Sequence, residues 1–377
     1  MFDCIICGAG PAGATAALVL ARGGARVLML DRARFPRDKL CGDTINPGTI
    51  AILRRLQLLD SLAQRAVRVD GMIVTGEHGV HVRCDYGPDA LAFALVRREL
   101  DATLARAAVA AGVRFEDGVV VRGPLMDEDR GGPRVRGIVM AGRDGRDVRV
   151  PASIVIGADG RRSRFAVPLG LARHPRRPRR WAIGAYFSGV DEVSGFGEMH
   201  VRRGGYVGIA RVPSGLVNVC AVVPRTAVLD NPTVILRRQI DRDPRLRRRF
   251  TRATMETTPV VIGPLAVDAS AAGMPGLLLA GDAAGFIDPM TGDGLRFAVR
   301  GGELAADVAL AAFAGRLGLP HAQLARLRRR EFGGKWRFNR TLRRLVDRGV
   351  TVELAGLATL AAPWLLRRAI SYAGDLP

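Results

Sequence analysis

The 377-residue sequence predicts an α/β protein: a discontinuous parallel-sheet domain, an inserted antiparallel β-sheet and a C-terminal helical segment. Three observations predict it. A strand, a glycine-rich turn, a helix and a second strand ending in an acid follow one another within the first 31 residues. Two more apolar strands run into Gly/Asp loops, near residues 159 and 282. Between those loops, residues 181–223 hold four short apolar runs separated by Gly and Pro, at roughly ten-residue spacing, the rhythm of an antiparallel sheet. The first two describe a Rossmann-like dinucleotide-binding domain; the third is the insertion.

The opening unit carries the most information. Phe2-Asp-Cys-Ile-Ile-Cys7 reads as a short buried strand, followed at once by Gly8-Ala-Gly10-Pro11-Ala12-Gly13. Gly8 permits the tight turn, Gly10 lets the backbone approach a pyrophosphate, and Gly13 lets the helix pack on the strand. Helix formers from Ala14 to Ala21 follow, placing free N–H groups and a positive dipole end at the phosphates. A second strand, Ala25 to Asp31, ends in an acid 18 residues after Gly13, where a carboxylate can accept bonds from ribose hydroxyls. The acid disfavours a 2′-phosphate, so the ligand is NAD or FAD. Cys4 and Cys7 form a C-x-x-C, but residues three apart on a strand point to opposite faces, and both read as buried fillers.

The second strand end is Ser153-Ile-Val-Ile-Gly-Ala-Asp159-Gly160, followed by Arg161-Arg162-Ser163-Arg164. The third is Gly276-Leu-Leu-Leu-Ala-Gly281-Asp282-Ala-Ala-Gly285, continuing Phe286-Ile-Asp-Pro289-Met-Thr-Gly292-Asp293-Gly294-Leu295 into a helical pattern that reaches Ala314. Three such strand ends in one chain fit one extended ligand touched at several points.

In this order and spacing the motifs resemble the group A flavoprotein monooxygenases and their relatives the geranylgeranyl reductases, over roughly residues 2 to 345. The resemblance implies an FAD-dependent oxidoreductase. It implies that Gly8, Gly10, Pro11, Ala12, Gly13, Asp31 and Arg32 hold the ADP half of FAD. Asp159-Gly160 and Gly281-Asp282 match the family's DG and GD motifs. Arg97 matches an Arg-x-x-Leu that reaches the flavin chain, with Arg98 an adjacent rival. Asp-Pro289-Met-Thr-Gly292-Asp293-Gly294-Leu295 resembles the reductase branch more than the hydroxylases, and the Trp-x-Trp-x-Ile-Pro of tryptophan halogenases is absent. Arg37-Asp-Lys39-Leu-Cys41-Gly-Asp43 resembles the reductases' Lys-x-Cys-Gly-Gly loop, with Asp43 in place of the second Gly.

Flavin performs the redox chemistry and the protein positions it. By this resemblance Gly292, Gly294 and Leu295 lie at the flavin ring, where a helix N-terminus stabilises negative charge. Lys39, Cys41 and Asp293 are the catalytic candidates, with Cys41 also lining the pocket. The substrate is an apolar or aromatic metabolite, and the reaction is flavin-hydroperoxide oxygenation or hydride-type C=C reduction, as in isoprenoid saturation. Without a second G-x-G-x-x-G, electrons come from transiently docked NAD(P)H or from a reduced partner protein. No metal site is expected; His78 and His81 form the only close histidine pair.

The motif positions divide the chain. An FAD-binding domain takes residues 1–67, 95–180 and 269–345, a substrate domain 68–94 and 181–268, and a C-terminal helical segment 346–377. Residues 123–148 read as a surface hairpin, 231–254 as one Arg-rich helix, and Ala322 to Ala362 as helical with Leu342, Leu345 and Val346 as a partial apolar stripe.

Charge is unusual: 57 Lys+Arg against 36 Asp+Glu, a formal +21. Only Lys39 and Lys335 are lysines, so the excess reflects Arg usage as much as an anionic ligand. It is also concentrated: windows 161–180, 236–252 and 326–348 carry +8, +6 and +8, leaving the remainder near neutral. Aromatics are 5%, poor material for stacking on single strands, so nucleic acid is a remote alternative. Part of the first window is expected to face the cofactor pyrophosphate or an incoming NAD(P)H; the other two are expected to be solvated faces, or a docking surface for an acidic carrier protein or lipid headgroups. Five scattered cysteines suggest a cytoplasmic protein. No uncharged apolar run reaches 18 residues, which argues against a transmembrane span and leaves 349–366 as a segment that could lie peripherally on a membrane.

Overall fold

The computed structural model describes residues 1–129, 132–142, 144–176, 180–224, 231–347 and 362–376. Its parallel sheet runs, in spatial order, Gly273–Met274, Leu277–Leu279, Asp147–Gly157, Phe2–Cys7, Val27–Asp31 and Arg114–Asp117, with only the first of these antiparallel to its neighbour. The central strands are nearly all apolar because both faces are covered. Cys4, Ile6, Val27, Met29 and Ile156 pack into one core; Ile5, Cys7, Leu28, Leu30 and Val155 pack into the other. The two cysteines therefore serve opposite faces, as their spacing predicts.

Register decides where the motifs meet. Cys7 lies opposite both Leu30 and Gly157, and Gly157 lies opposite Leu279. The carboxyl ends of four strands are thus level, and the loops at 8–13, 158–160 and 280–282 emerge side by side. Helix Pro11–Arg22 packs against helix Gly294–Phe313 closely enough that a Cβ on Gly302 would collide with the carbonyl oxygen of Ala12. Strand Asp147–Gly157 begins in an antiparallel hairpin with Val121–Asp129 and Gly132–Ala141, then enters the parallel sheet.

The second sheet is antiparallel apart from one pair. Arg180–Ser188, Val217–Pro224, Gly205–Arg211 and Phe196–Arg202 follow in order, each within a residue or two of the apolar runs read in sequence. Gly71–Thr75 joins Phe196–Arg202 in parallel and pairs with His81–Asp85, so the two inserted segments build one sheet. Period-2 alternation sends Ile183, Phe187, Val219 and Ala221 to a core under the helices of 232–249. Ala182, Tyr206 and Val222 face the other way, toward the nucleotide domain, with Leu265 and Phe286.

Two expectations change. The single helix at 231–254 is two, Pro232–Asp241 and Pro244–Arg249, because Pro244 lacks the N–H a continuous helix needs; the Asp243 carboxylate caps the second by accepting from Arg245 N at 2.9 Å. The helix from 322 is Pro320–Asp347, and a further helix spans Pro363–Gly374; residues 348–361 of the expected run, and the side chains of Leu345 and Val346, lie outside the described residues. Nor are the second and third Arg windows simply solvated. Arg249, Arg328 and Lys335 are buried. Arg249 forks onto Glu198 at 2.6 and 2.8 Å, and Arg328 lies over the Phe332 and Trp336 rings.

Candidate functional site

The level loops open onto one cleft of about 670 Å³ that continues under the antiparallel sheet. Its nucleotide end is a cradle of backbone. Gly8 has φ +102°, and a Cβ there would collide with Ala158 O; a Cβ on Gly13 would collide with Gly8 O. Gly10 is different: the nearest neighbour to a Cβ is Arg37 Nη2 at 3.4 Å, so this backbone faces open cleft. Helix Pro11–Arg22 starts there with Gly10 as a cap lacking a side chain, leaving its first N–H groups to whatever enters.

Asp31 closes this end. Its carboxylate accepts from Ala9 N at 2.8 Å and Ala33 N at 2.9 Å, which fixes it at the strand tip beside the exposed Arg32. Asp159 accepts from Arg164 N at 2.6 Å through one oxygen, while the other is buried without a partner; burial raises its pKa. Gly281 takes φ +60° against Ala12, and Asp282 lies 3.9 Å from Arg161 Nε. A cradle that only glycine fits, free helix N–H groups and an orphaned carboxylate oxygen match the polyhydroxylated diphosphate of a dinucleotide.

The middle of the cleft holds the predicted ring-facing residues. Of the two rival arginines, Arg97 lines the cleft and Arg98 turns outward to Asp38 at 3.2 Å. Arg97 is locked by a fork onto Asp101, 2.8 and 2.9 Å; burial disfavours the charged guanidinium, but the Asp101 carboxylate outweighs it and raises the pKa. Lys39 reaches solvent through the cleft yet is crowded by its walls. Desolvation, together with Arg97, Arg161 and Arg37 and against the pull of Asp282, brings its ammonium down to about 8. Cys41 is half-buried and its thiol is pushed up by burial, with Arg97 opposing. Gly292, Gly294, Leu295 and Pro289 line the cleft.

Two predicted residues do not reach it. Gly13 serves helix packing. Asp293 is buried and receives Lys335 Nζ at 2.8 Å; Lys335 also donates to Ala373 O at 2.8 Å and lies 3.0 Å from Asp375. This pair ties the C-terminal helix to the start of helix Gly294–Phe313.

The far end of the cleft is apolar. Met72 and Val74 come from one inserted strand, Met199 and Val222 from others, and Leu366 and Ile370 from the C-terminal helix. Sequence reasoning missed that helix as a wall, and it missed Tyr186 and Asn218, which hold Asp43. Both left a signal: each is a polar group inside an otherwise apolar strand.

The match to known proteins agrees with this geometry. A family model described as FAD binding domain covers residues 1–312. The chain belongs to the FAD binding domain family. Within that family it is 31% identical over 323 residues to a menaquinone reductase of Mycobacterium tuberculosis, covering 81% of this chain and 76% of that protein. It is 27% identical over 321 residues to a geranylgeranyl diphosphate reductase of Rhodobacter capsulatus, covering 82% and 75%. A myxobacterial chondrochloren halogenase, one of the FAD-dependent halogenases, superposes with a TM-score of 0.82 at 26% identity, covering 89% of this chain and 81% of that one. This FAD binding domain protein is thus an FAD-dependent oxidoreductase with an α/β, Rossmann-like core. Among the described residues no helix is long and apolar enough to cross a membrane.

Proposed function

We propose that the protein is an FAD-dependent reductase that saturates a carbon–carbon double bond in the prenyl chain of a lipid-soluble substrate. The observation that carries this reading is the continuity of the cleft: one cavity joins a glycine cradle for a dinucleotide to an apolar chamber between a β-sheet and the C-terminal helix. The names of the menaquinone and geranylgeranyl diphosphate reductases support a prenyl substrate.

FAD, when bound, supplies the hydride chemistry. The chain supplies the rest. Gly8, Gly10 and the N–H groups of helix Pro11–Arg22 receive the pyrophosphate, and Asp31 receives the ribose. Arg97, Lys39 and the helix N-terminus at Gly294 would hold the flavin end of FAD in positive potential, suited to negative charge gained on reduction. NAD(P)H or a reduced partner protein is the electron source, with Arg161 and Arg164 in the cleft wall as the cationic approach. We place the protein in the cytoplasm, peripheral to a membrane. Trp364, Leu365 and Tyr372 are exposed on the C-terminal helix beside Arg367 and Arg368, a composition suited to a lipid interface. An acidic carrier protein on the same face is the alternative partner.

Oxygen insertion into an apolar or aromatic substrate is the second reading, favoured by the likeness to the halogenase. The test is an anaerobic incubation of FAD-loaded, dithionite-reduced protein with a polyprenyl quinone. A product whose prenyl chain is two hydrogens heavier after the quinone ring has been reoxidised supports reduction. Substrate-dependent oxygen uptake in a one-to-one ratio, with no anaerobic product, overturns it.

A further inference from the structure

Asp43 sits where the reductase-like loop has its second glycine, and its surroundings are unusual for a loop residue. It is fully buried, forms part of the cleft wall, and takes φ +57°, a left-handed conformation that Asp and Asn tolerate better than most residues. Its carbonyl oxygen accepts from Leu95 N at 2.9 Å, which anchors the loop. One carboxyl oxygen, Oδ2, accepts from the Tyr186 hydroxyl at 2.6 Å and from Asn218 Nδ2 at 2.5 Å. Those two side chains come from cross-strand partners in the antiparallel sheet, Tyr186 directly opposite Asn218. Asn218 also donates to Cys41 O at 2.9 Å, so the same amide holds the loop at Cys41 and at Asp43. The other oxygen, Oδ1, is buried with no partner.

The asymmetry says where a proton would sit. Oδ2 already accepts two hydrogen bonds. A buried carboxylate oxygen without a donor is costly, so the neutral acid carries its proton on Oδ1. That hydroxyl belongs to a cleft-wall residue, and no protein acceptor competes for it.

We propose that Asp43 is the proton donor of the site, delivering the Oδ1 proton to the alkene carbon that does not receive the hydride, with Tyr186 and Asn218 holding Oδ2. The inference rests on the reductase reading above. The step balances: the alkene π bond breaks, one carbon gains a hydride from reduced flavin, the other gains the Asp43 proton, and the carboxylate left behind is reprotonated from solvent through the cleft. The groups facing Asp43 are Tyr186, Asn218, the backbone N–H and guanidinium of Arg97, and the Cys41 and Cys220 thiols. Burial pushes its carboxyl up to about 6, and Tyr186, Asn218 and Arg97 pull against it. The acid form is therefore present below that value and is lost as pH rises through it, so saturation should slow above about pH 6.

Two measurements on FAD-loaded protein test this. Infrared titration without substrate should show a buried carboxyl titrating near 6 that disappears in Asp43→Asn and moves to higher pH in Tyr186→Phe, which removes a donor to the charged form. In steady-state turnover of a polyprenyl quinone, followed by saturation of its prenyl chain, Asp43→Asn should lower kcat roughly 100-fold with KM little changed and abolish the pH limb, while Asp43→Glu restores part of the rate. Asn is isosteric and tolerates the left-handed backbone, and retained flavin absorbance checks that the variant folds. An Asp43→Asn protein with wild-type kcat and an unchanged pH limb overturns the proposal while leaving the reductase reading in place. A wild type that saturates no prenyl double bond overturns that reading itself, and the donor role with it.

Discussion

Replacing Lys335 with Met should destabilise the protein by about 3–5 kcal/mol, the usual effect of removing one partner of a buried ion pair. Lys335 and Asp293 are 5% and 1% exposed at their side chains, so neither charge can turn to water. Lys335 Nζ meets Asp293, Ala373 O and Asp375 within 3.0 Å, whereas Asp293 has one oxygen on Lys335 and one buried without a partner. Loss of the ammonium leaves a buried carboxylate with no cation on it, beside Thr291, Asp375 and the N-terminus of helix Gly294–Phe313, whose dipole compensates by about 0.3–1 kcal/mol. Burial already raises the pKa of Asp293 against the pull of Lys335, and the variant raises it further. A folded-state pKa above the unfolded value favours folding at low pH, and that contribution fades as pH rises through it. The defect should therefore be smaller at pH 5 than at pH 8. Thermal and urea unfolding at both pH values measure it, with a drop of roughly 4–6 °C expected at pH 8. Hydrogen exchange should rise in Pro363–Gly374, which loses its tie at Ala373. Lys335→Met with Asp293→Asn should recover more than half the loss. A single variant as stable as the parent, or equally destabilised at both pH values, would refute the reasoning.

Other expectations are simpler to test. Gly10→Ala should fold with a near-parental unfolding midpoint but purify colourless, because its Cβ enters open cleft; Gly13→Ala should lower the midpoint itself, since its Cβ meets Gly8 O and Ile6. Arg97→Gln removes the fork from the fully buried Asp101, leaving Arg37 Nη2 at 3.1 Å as its cation, so stability should fall by about 3 kcal/mol and FAD should be held more weakly, both read by thermal shift with and without added FAD. Burial holds the Cys41 thiol protonated at neutral pH, so alkylation by iodoacetamide at pH 7 should be slower than that of free cysteine, as peptide mapping would report.

The chain's local grammar carried the nucleotide end. Strand, glycine turn, helix and acid each follow from neighbours within a few residues: buried strands need apolar runs, a helix start needs free N–H groups, and a backbone cradle needs Gly8, Gly10 and Gly13. The four apolar runs of the inserted sheet were legible for the same reason, through their period of two. Even the choice of Cys4 and Cys7 as fillers follows from strand geometry alone.

Contacts between distant segments were not legible, because nothing local encodes a partner. Arg97 and Arg98 are equivalent neighbours in sequence; helix phase sent one to Asp101 and the cleft and the other to Asp38. The Arg windows looked solvated because charge is normally left in water, yet Arg249 and Lys335 found buried carboxylates 51 and 42 residues away. Asp293, a catalytic candidate on its motif, is drawn off the cleft by Lys335. Asp43 looked like a departure from a glycine loop until two strands, separated from it by more than 140 residues, brought Tyr186 and Asn218 to the same oxygen. By itself the sequence determined the FAD-binding family and where its glycine turn lies, since those demands are met within one strand–turn–helix unit. Which side chains face the cleft, and which way burial shifts their protonation, was decided only by the tertiary structure, because burial and pairing are set by what the rest of the chain packs around a group.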